Sequence, residues 1–490
     1  MKIYFTDFFE IDSSVLKLYG AFNISLINDL PLFIDPFLLF GSKKQEYQDL
    51  HKSIIKYLTF LKHKAEKGIT ADYQIQSWYI FPEVKQNWFG YSKIGNSGRG
   101  LNMKFGRAFS STIQFVFDDL GRERITQSSH LEKAGLFEIG VGKDNISDFT
   151  TNLIKTYLCE YTEQFALKHI DKVYLQKTSV EKAYFDYEFE RWMPKEFTLP
   201  YIFGDFVLLT PRDLLTKDDN WINSNDLRGN FTGVVNGIPN QQLRHEVFNY
   251  YLKCLPKTDK NKRNTQKEIT KAVHETISKF PEIIKYYVKI KEENKEGAKN
   301  ISKQRVEEVE AIFIQKLQDF VQLLLEQSEF YEISGISSYE ESLARIEYLK
   351  SVIENNDGYR LFYIDGNPIK REEDLQIIYR LTWFASDYDL NRETNNGRGP
   401  VDYAISRGSA DKTLVEFKLA SNSKLKQNLE KQVEIYEKAN NTKKSIKVIL
   451  YFDAAEYEKV NKILKELKLD NSPNIVLIDA GKKISASNVK

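Results

Sequence analysis

Hydrophobic and polar positions are arranged in three different ways along the chain, and each arrangement predicts a different region. Up to about residue 255 the pattern is irregular and rich in aromatic side chains. Two short runs there, Ser111–Phe117 and Asp205–Thr210, read as β-strands, and Asp148–Ala166 reads as helix. The mixture predicts an α/β or α+β domain over residues 1–255. A polar, basic stretch without one apolar residue follows, Lys257–Lys267, which reads as a linker or an exposed helix start, solvated in preference to a DNA-contacting arm. Beyond it Val306, Val309, Phe313, Leu317, Phe320 and Leu324 recur at spacings of three and four. Ile312, Ile314, Val321, Leu323 and Leu325 widen that stripe. A helix apolar over so broad a face packs within the chain, and the repeat is too short for a coiled coil. Residues 256–355 are therefore expected to be linker and helix.

The remainder, 356–490, changes rhythm. It predicts a helix over 371–386 and a strand over 388–393, then strands 399–406 and 412–419. A helix over 423–440, a strand over 446–452, a helix over 454–469 and a strand over 474–480 complete it. The expected fold class is α/β and multi-domain.

Composition narrows the function classes. The 490 residues carry 70 Lys and Arg against 69 Asp and Glu, a net charge of +1, so any nucleic-acid surface must be a local patch. The only cysteines, Cys159 and Cys254, exclude a disulfide framework and a four-thiolate zinc site, as suits a reducing cytoplasm. The opening Met1–Asp7 lacks the apolar run of a signal peptide. The apolar stretch Leu32–Phe40 is broken by Asp35 and Pro36 and is far shorter than the ~20 residues that span a bilayer. A cytoplasmic protein without membrane attachment is expected.

Candidate chemistry gathers near the end of the chain. In Gly399–Ser406 the residues Val401, Tyr403 and Ile405 alternate with Asp402, Ala404 and Ser406. In Lys412–Leu419, Val415, Phe417 and Leu419 point one way, while Glu416 and Lys418 share the other face. The turn-rich Arg407–Asp411 between them predicts an antiparallel hairpin that sets Asp402 beside Glu416. Two carboxylates that close repel unless a divalent cation neutralises them, and oxygen-only ligation suits Mg²⁺ or Mn²⁺. Lys418 beside such an ion would position water or offset phosphorane charge, as phosphodiester hydrolysis requires. The competing reading is a strand-surface ion pair worth under ~1 kcal/mol.

Pro400-Val401-Asp402 followed by Glu416-Phe417-Lys418, in this order of elements, resembles the PD-(D/E)xK nuclease superfamily. The resemblance covers about the last quarter of the chain and implies a restriction-endonuclease-like αβββαβ core that cleaves DNA with Mg²⁺, Mn²⁺ substituting. It also implies an acid on the first helix. Glu373 shares a face with Ile377, Leu381 and Phe384 and is the first choice; Glu372, with Gln376, Tyr379 and Trp383, is the fallback. Gln432, beside the stripe Leu425, Leu429, Val433 and Tyr436, resembles the glutamine that relatives keep near the metal. Arg398, in the turn Thr394–Gly399, is placed to touch phosphate, and Glu393 is a further candidate ligand.

The front of the chain offers less. Gly95–Gly100 lacks the Gly-Lys-Ser/Thr of a phosphate cradle, and no motor motif occurs. Gly140–Phe149 reads as a turn with Ser147 or Asp148 capping a helix, a reading preferred to cation binding by Asp144 and Asp148. Leu208–Asp219 reads as a strand end and a capped helix. The six histidines show no metal-ligand spacing. A large non-motor front joined to such a nuclease core resembles bacterial restriction and anti-phage effectors. The expected partners are DNA, a protein from the same defence operon, and a second copy in a homodimer. Two alternatives stand beside this: a catalytically silent nucleic-acid-binding or scaffold protein, and an RNase toxin.

Overall fold

The computed structural model describes residues 3–26, 29–69, 71–90, 100–137, 142–217, 219–256, 264–316, 337–355, 358–364, 367–369, 372, 379, 383, 389–391, 403–407, 411–430, 444–470 and 472–482. The chain mixes α and β structure and divides into two compact units, Met1–Glu307 and Glu308–Lys490. The helical region expected over 256–355 is thus shared between them. Its first helices, Gln266–Lys279 and Ile283–Glu293, lie in the first unit, and Ser338–Asn355 lies in the second. No described helix is long and apolar enough to cross a membrane.

The first unit is helical around one long hairpin, β1 (Leu175–Asp186) and β2 (Arg191–Ile202), extended by the short β3 (Asp205–Phe206). Val180, Ala183, Phe197 and Leu199 of the hairpin pack with Cys159 of the Lys155–His169 helix and with Leu208. The apolar run near residue 35 becomes a two-residue strand, Phe33–Ile34, followed by the helix Pro36–Gly41. Asp35 caps that helix by accepting from Phe37 N at 3.1 Å, and Pro36 sits where no helical N–H is needed.

Three expectations are corrected here. Ser111–Phe117 is not a strand but the end of the Met103–Val116 helix, capped by Asn102, whose side chain accepts from Phe105 N. Strand alternation would have buried Phe115 with Ile113 and Phe117, yet Phe115 is 73% exposed, because the controlling period starts upstream at Phe105 and Phe109. Ser147 and Asp148 are not caps. The helix starts at Lys143, and both residues lie in its second turn, where the buried Ser147 hydroxyl accepts from Ile34 N at 3.0 Å. Leu208–Asp219 holds no capped helix: a single turn, Arg212–Leu214, leads into Leu215–Thr216, which pairs antiparallel with Phe33–Ile34. Asp213 in that turn binds Lys44 and Tyr47. The stretch Asp148–Ala166 is helical, as expected, but as two helices broken at Ile154.

Buried polar groups tie distant segments of this unit together. Asp35 also accepts from Trp221 N at 2.7 Å and Asn220 Nδ2 at 3.4 Å. Glu292 accepts from Gln127 N, Ser128 N and the His130 ring at 2.7, 3.0 and 2.8 Å. Burial holds the His130 ring neutral, so its Nε2–H donates to the carboxylate. Burial, and then the Asp35 carboxylate, push Glu132 well above the usual carboxylate range, while burial raises Asp35 less because its donors oppose the shift. Both shifts favour the protonated acid, and that of Glu132 is the larger.

In the second unit a five-stranded sheet is built from β4 (Asp389–Asn391), β5 (Tyr403–Arg407), β6 (Asp411–Leu419), β7 (Ser445–Tyr451) and β8 (Ile475–Asp479), in the order β8-β7-β6-β5-β4. β4, β5 and β6 pair antiparallel; β6, β7 and β8 pair parallel. One face holds Ile449 with Leu425, Leu429, Val460 and Leu464 from the helices over it, 425–430 and Ala454–Glu466. The Ser338–Asn355 helix is pinned to β6 at its start, where Asp411 accepts from Ser338 N at 2.6 Å and from its hydroxyl at 2.8 Å.

A proton held on Glu132 stabilises the fold at acid pH and is a liability above it. With the folded pKa raised, the contribution is complete below the ordinary carboxylate pKa of about 4.3 and is lost as pH rises toward the folded value. Glu132→Gln keeps the size of the side chain and removes the titration, so its thermal midpoint should exceed that of the parent at pH 8 and match it near pH 4. Coincident midpoints at pH 8 would exclude the raised Glu132 carboxyl.

Candidate active site in the second unit

The central strand β6 carries the candidate chemistry. Thr413–Leu419 is buried on both sides because β5 and β7 flank it and helices cover the sheet, the environment of a parallel core strand. Two charged side chains nevertheless sit in this run, Glu416 at 6% and Lys418 at 7% exposure. Two residues apart on one strand, they share a face, and Lys418 Nζ lies 3.0 Å from Glu416 Oε1. The contact is ionic only, since Oε1 receives no hydrogen bond.

The parallel register places Lys447 of β7 opposite Glu416, with Nζ 3.7 Å from Glu416 Oε2. On the other side Lys418 Nζ donates to Glu372 Oε2 at 3.3 Å. Glu372 is held in turn at its Oε1 by Asn422 Nδ2 at 2.7 Å and by Leu419 N at 3.3 Å. The result is an alternating row of acid, amine, acid and amine: Glu372, Lys418, Glu416, Lys447. Each carboxylate touches at least one ammonium, as the low dielectric of a sheet interior demands.

Of the residues singled out in the sequence, the structure brings Glu416 and Lys418 together as the strand parity predicts. The hairpin is present, with register from Asp411↔Arg407 to Val415↔Tyr403. Asp402, Glu373, Gln432, Arg398 and Glu393 lie outside the described residues. The fallback acid Glu372 is the one that reaches Lys418. Its helix stripe is buried, for Tyr379 packs on Phe417 and Tyr403 at ring distances of 4.5 and 5.4 Å and Trp383 is buried too. Lys447 and Asn422 are not among the residues that the sequence pattern singles out. A signal for Lys447 existed, a lone cation inside the apolar run Ile446–Phe452, while Asn422 carried none.

Among the described residues no group of three or more His, Cys, Asp or Glu converges on a point where an ion could sit. Glu416 Oε1, buried and without a hydrogen-bond donor, is nonetheless an oxygen whose lone pairs are open to a hard cation. Two oxygen donors, Glu416 and Glu372, thus flank one lysine, and that set fits Mg²⁺ in chemistry if a further carboxylate joins it.

Two family models match the chain, each described only as a domain of unknown function: DUF8370 over residues 10–223 and DUF8371 over residues 338–454. The second begins with the Ser338–Asn355 helix and spans Glu372, Glu416, Lys418 and Lys447. No curated protein and no solved structure matches.

Removing the inner carboxylate would strand two buried ammonium groups. Glu416→Ala should therefore destabilise the second unit by about 3–5 kcal/mol, read from chemical denaturation. Lys447→Met should cost less than half as much, because Glu416 keeps Lys418 at 3.0 Å. Equal losses from the two variants would show that the row does not act as a linked set.

Proposed function

We propose that the second unit is a Mg²⁺-dependent phosphodiesterase that cleaves DNA internally, with Mn²⁺ able to substitute. The observation that carries this reading is the placement of Glu416 and Lys418 on one face of the central strand, in contact and backed by a helix acid. The run of elements from the 372–383 segment through β4, β5, β6 and the helix at 425–430 to β7 supports a restriction-endonuclease-like core.

In this reading Asp402, one residue before β5, joins Glu416 as a metal ligand. The ion, when bound, would polarise the phosphate and lower the pKa of the attacking water. Lys418 orients that water and offsets charge developing on the phosphoryl oxygens. Glu372 steadies the ammonium through its own contacts to Asn422 and Leu419 N. Glu373 and Gln432 assist by resemblance, and Arg398 holds a neighbouring phosphate. The large front unit would select the target or sense a trigger, in bacterial defence against foreign DNA.

A second reading has its own support. The four charges already compensate one another, so a catalytically silent scaffold needs no ion at all. The two readings part on activity. Purified protein is incubated with plasmid, linear DNA and tRNA, with and without Mg²⁺. Cleavage of DNA that requires the ion and falls about 10²–10³-fold in Asp402→Ala and Lys418→Met is expected. Full activity in Lys418→Met or in excess EDTA would refute the mechanism, no cleavage under any condition would favour the scaffold, and cleavage confined to tRNA would make the enzyme an RNase.

A further inference from the structure

The first unit contains a cavity that the hydrolase reading does not use. It has a volume of about 950 Å³ and lies among the turn after the Pro36–Gly41 helix, the Arg212–Leu215 segment and the outer face of the 296–307 helix. That volume is at the upper end of the range for small-molecule sites. Its floor is apolar, with Leu38, Leu215 and Val306 all buried, and Tyr47 stands at its wall.

The charges on the wall are unequal. Three carboxylates line the cavity, and each is answered by a lysine that also lines it. Asp213 binds Lys44 at 2.7 Å through one oxygen and accepts from the Tyr47 hydroxyl at 2.6 Å through the other. Glu296 binds Lys299 at 2.8 Å, and Glu307 binds Lys303 at 3.9 Å. Lys17, Lys43 and Arg212 come in addition, so cations outnumber carboxylates by two to one. In a chain whose net charge is +1, that local excess is not a reflection of composition. The Glu296 carboxyl registers the field. Its hydrogen bond from Lys299 holds it below the ordinary range, and Lys299, Lys43 and Lys295 add to the effect electrostatically. Ser42, Ser302 and Asn300 supply uncharged groups for hydrogen bonding.

A concave site with an apolar floor and a cationic rim selects a ligand with a compact, multiply charged anionic group and a flatter apolar part. The exposed ion pairs at the rim are worth little individually, so a phosphate can displace their carboxylates at small cost. We infer that this cavity binds a small molecule bearing a di- or triphosphate group, of nucleotide size. The inference is independent of the hydrolase reading, since every residue it uses lies in the first unit.

Nucleotides and inorganic polyphosphates share the anionic group, and titration calorimetry on the full-length chain separates them. ATP, tripolyphosphate and adenosine are the probes, and the variants are Lys17→Glu and Lys43→Glu, both exposed lysines whose reversal spares the core. Lys168→Glu, an exposed lysine in the last turn of the Lys155–His169 helix and not part of the cavity lining, controls for net charge. Saturable one-site binding of ATP, weakened about tenfold or more by either cavity variant and unaltered by Lys168→Glu, is expected. Tighter binding of ATP than of tripolyphosphate would place the base on the apolar floor; equal binding would leave recognition to the phosphates alone, and either supports the site. Absence of binding by both phosphate compounds, binding of adenosine as tight as that of ATP, or equal loss in the Lys168→Glu control would each overturn it.

Discussion

A charge on the middle strand of a covered sheet has no water to turn to, and most of what is distinctive in the second unit follows from that. Glu416 lies in a run of seven residues buried on both faces. Desolvation of a lone carboxylate there would cost more than a small unit can spare, so its neighbours have to be cations. Lys418 provides one through strand parity, Lys447 another through parallel register, and Glu372 then answers Lys418. None of these four positions can be read apart from the others. The same row that makes the buried charge tolerable also gathers oxygen ligands and amines on one face, which is the raw material of phosphoryl chemistry.

The first unit uses buried polarity differently. There the carboxylates act as clasps: Glu292 gathers the turn at 127–130, and Asp35 joins a helix start to the segment at 220–221. Where two acids meet, as at Asp35 and Glu132, burial pushes the Glu132 carboxyl well above the usual range. The cationic cavity follows the opposite rule. Its lysines and acids are mostly solvated, so their pairing is loose and a ligand can compete for the lysines.

Legibility in the sequence tracked how local the deciding force was. β6, β7 and β8 lie within a residue or two of their expected positions because period-two alternation and β-branched runs act over a few residues. Ser111–Phe117 misled because a seven-residue window shows alternation while the longer window from Phe105 shows a helix. Leu208–Asp219 misled because its strand exists only by pairing with Phe33–Ile34, some 180 positions away. On the 371–386 segment the pattern leaves two candidate stripes, and the packing of Tyr379 on Phe417 and Tyr403 is a contact with the sheet that no local pattern contains.

What the sequence determined alone was therefore parity and type: that Glu416 and Lys418 face the same way, that a hairpin precedes them, and that the chain as a whole carries almost no net charge. Register, the choice of helix face and the convergence of Lys447 and Asn422 belonged to the tertiary structure. These depend on contacts between segments 30 to 75 residues apart, such as β6 with β7 and Ser338 with Asp411. The energy of such contacts is set by burial and charge compensation in the assembled unit, and no short stretch of chain contains it.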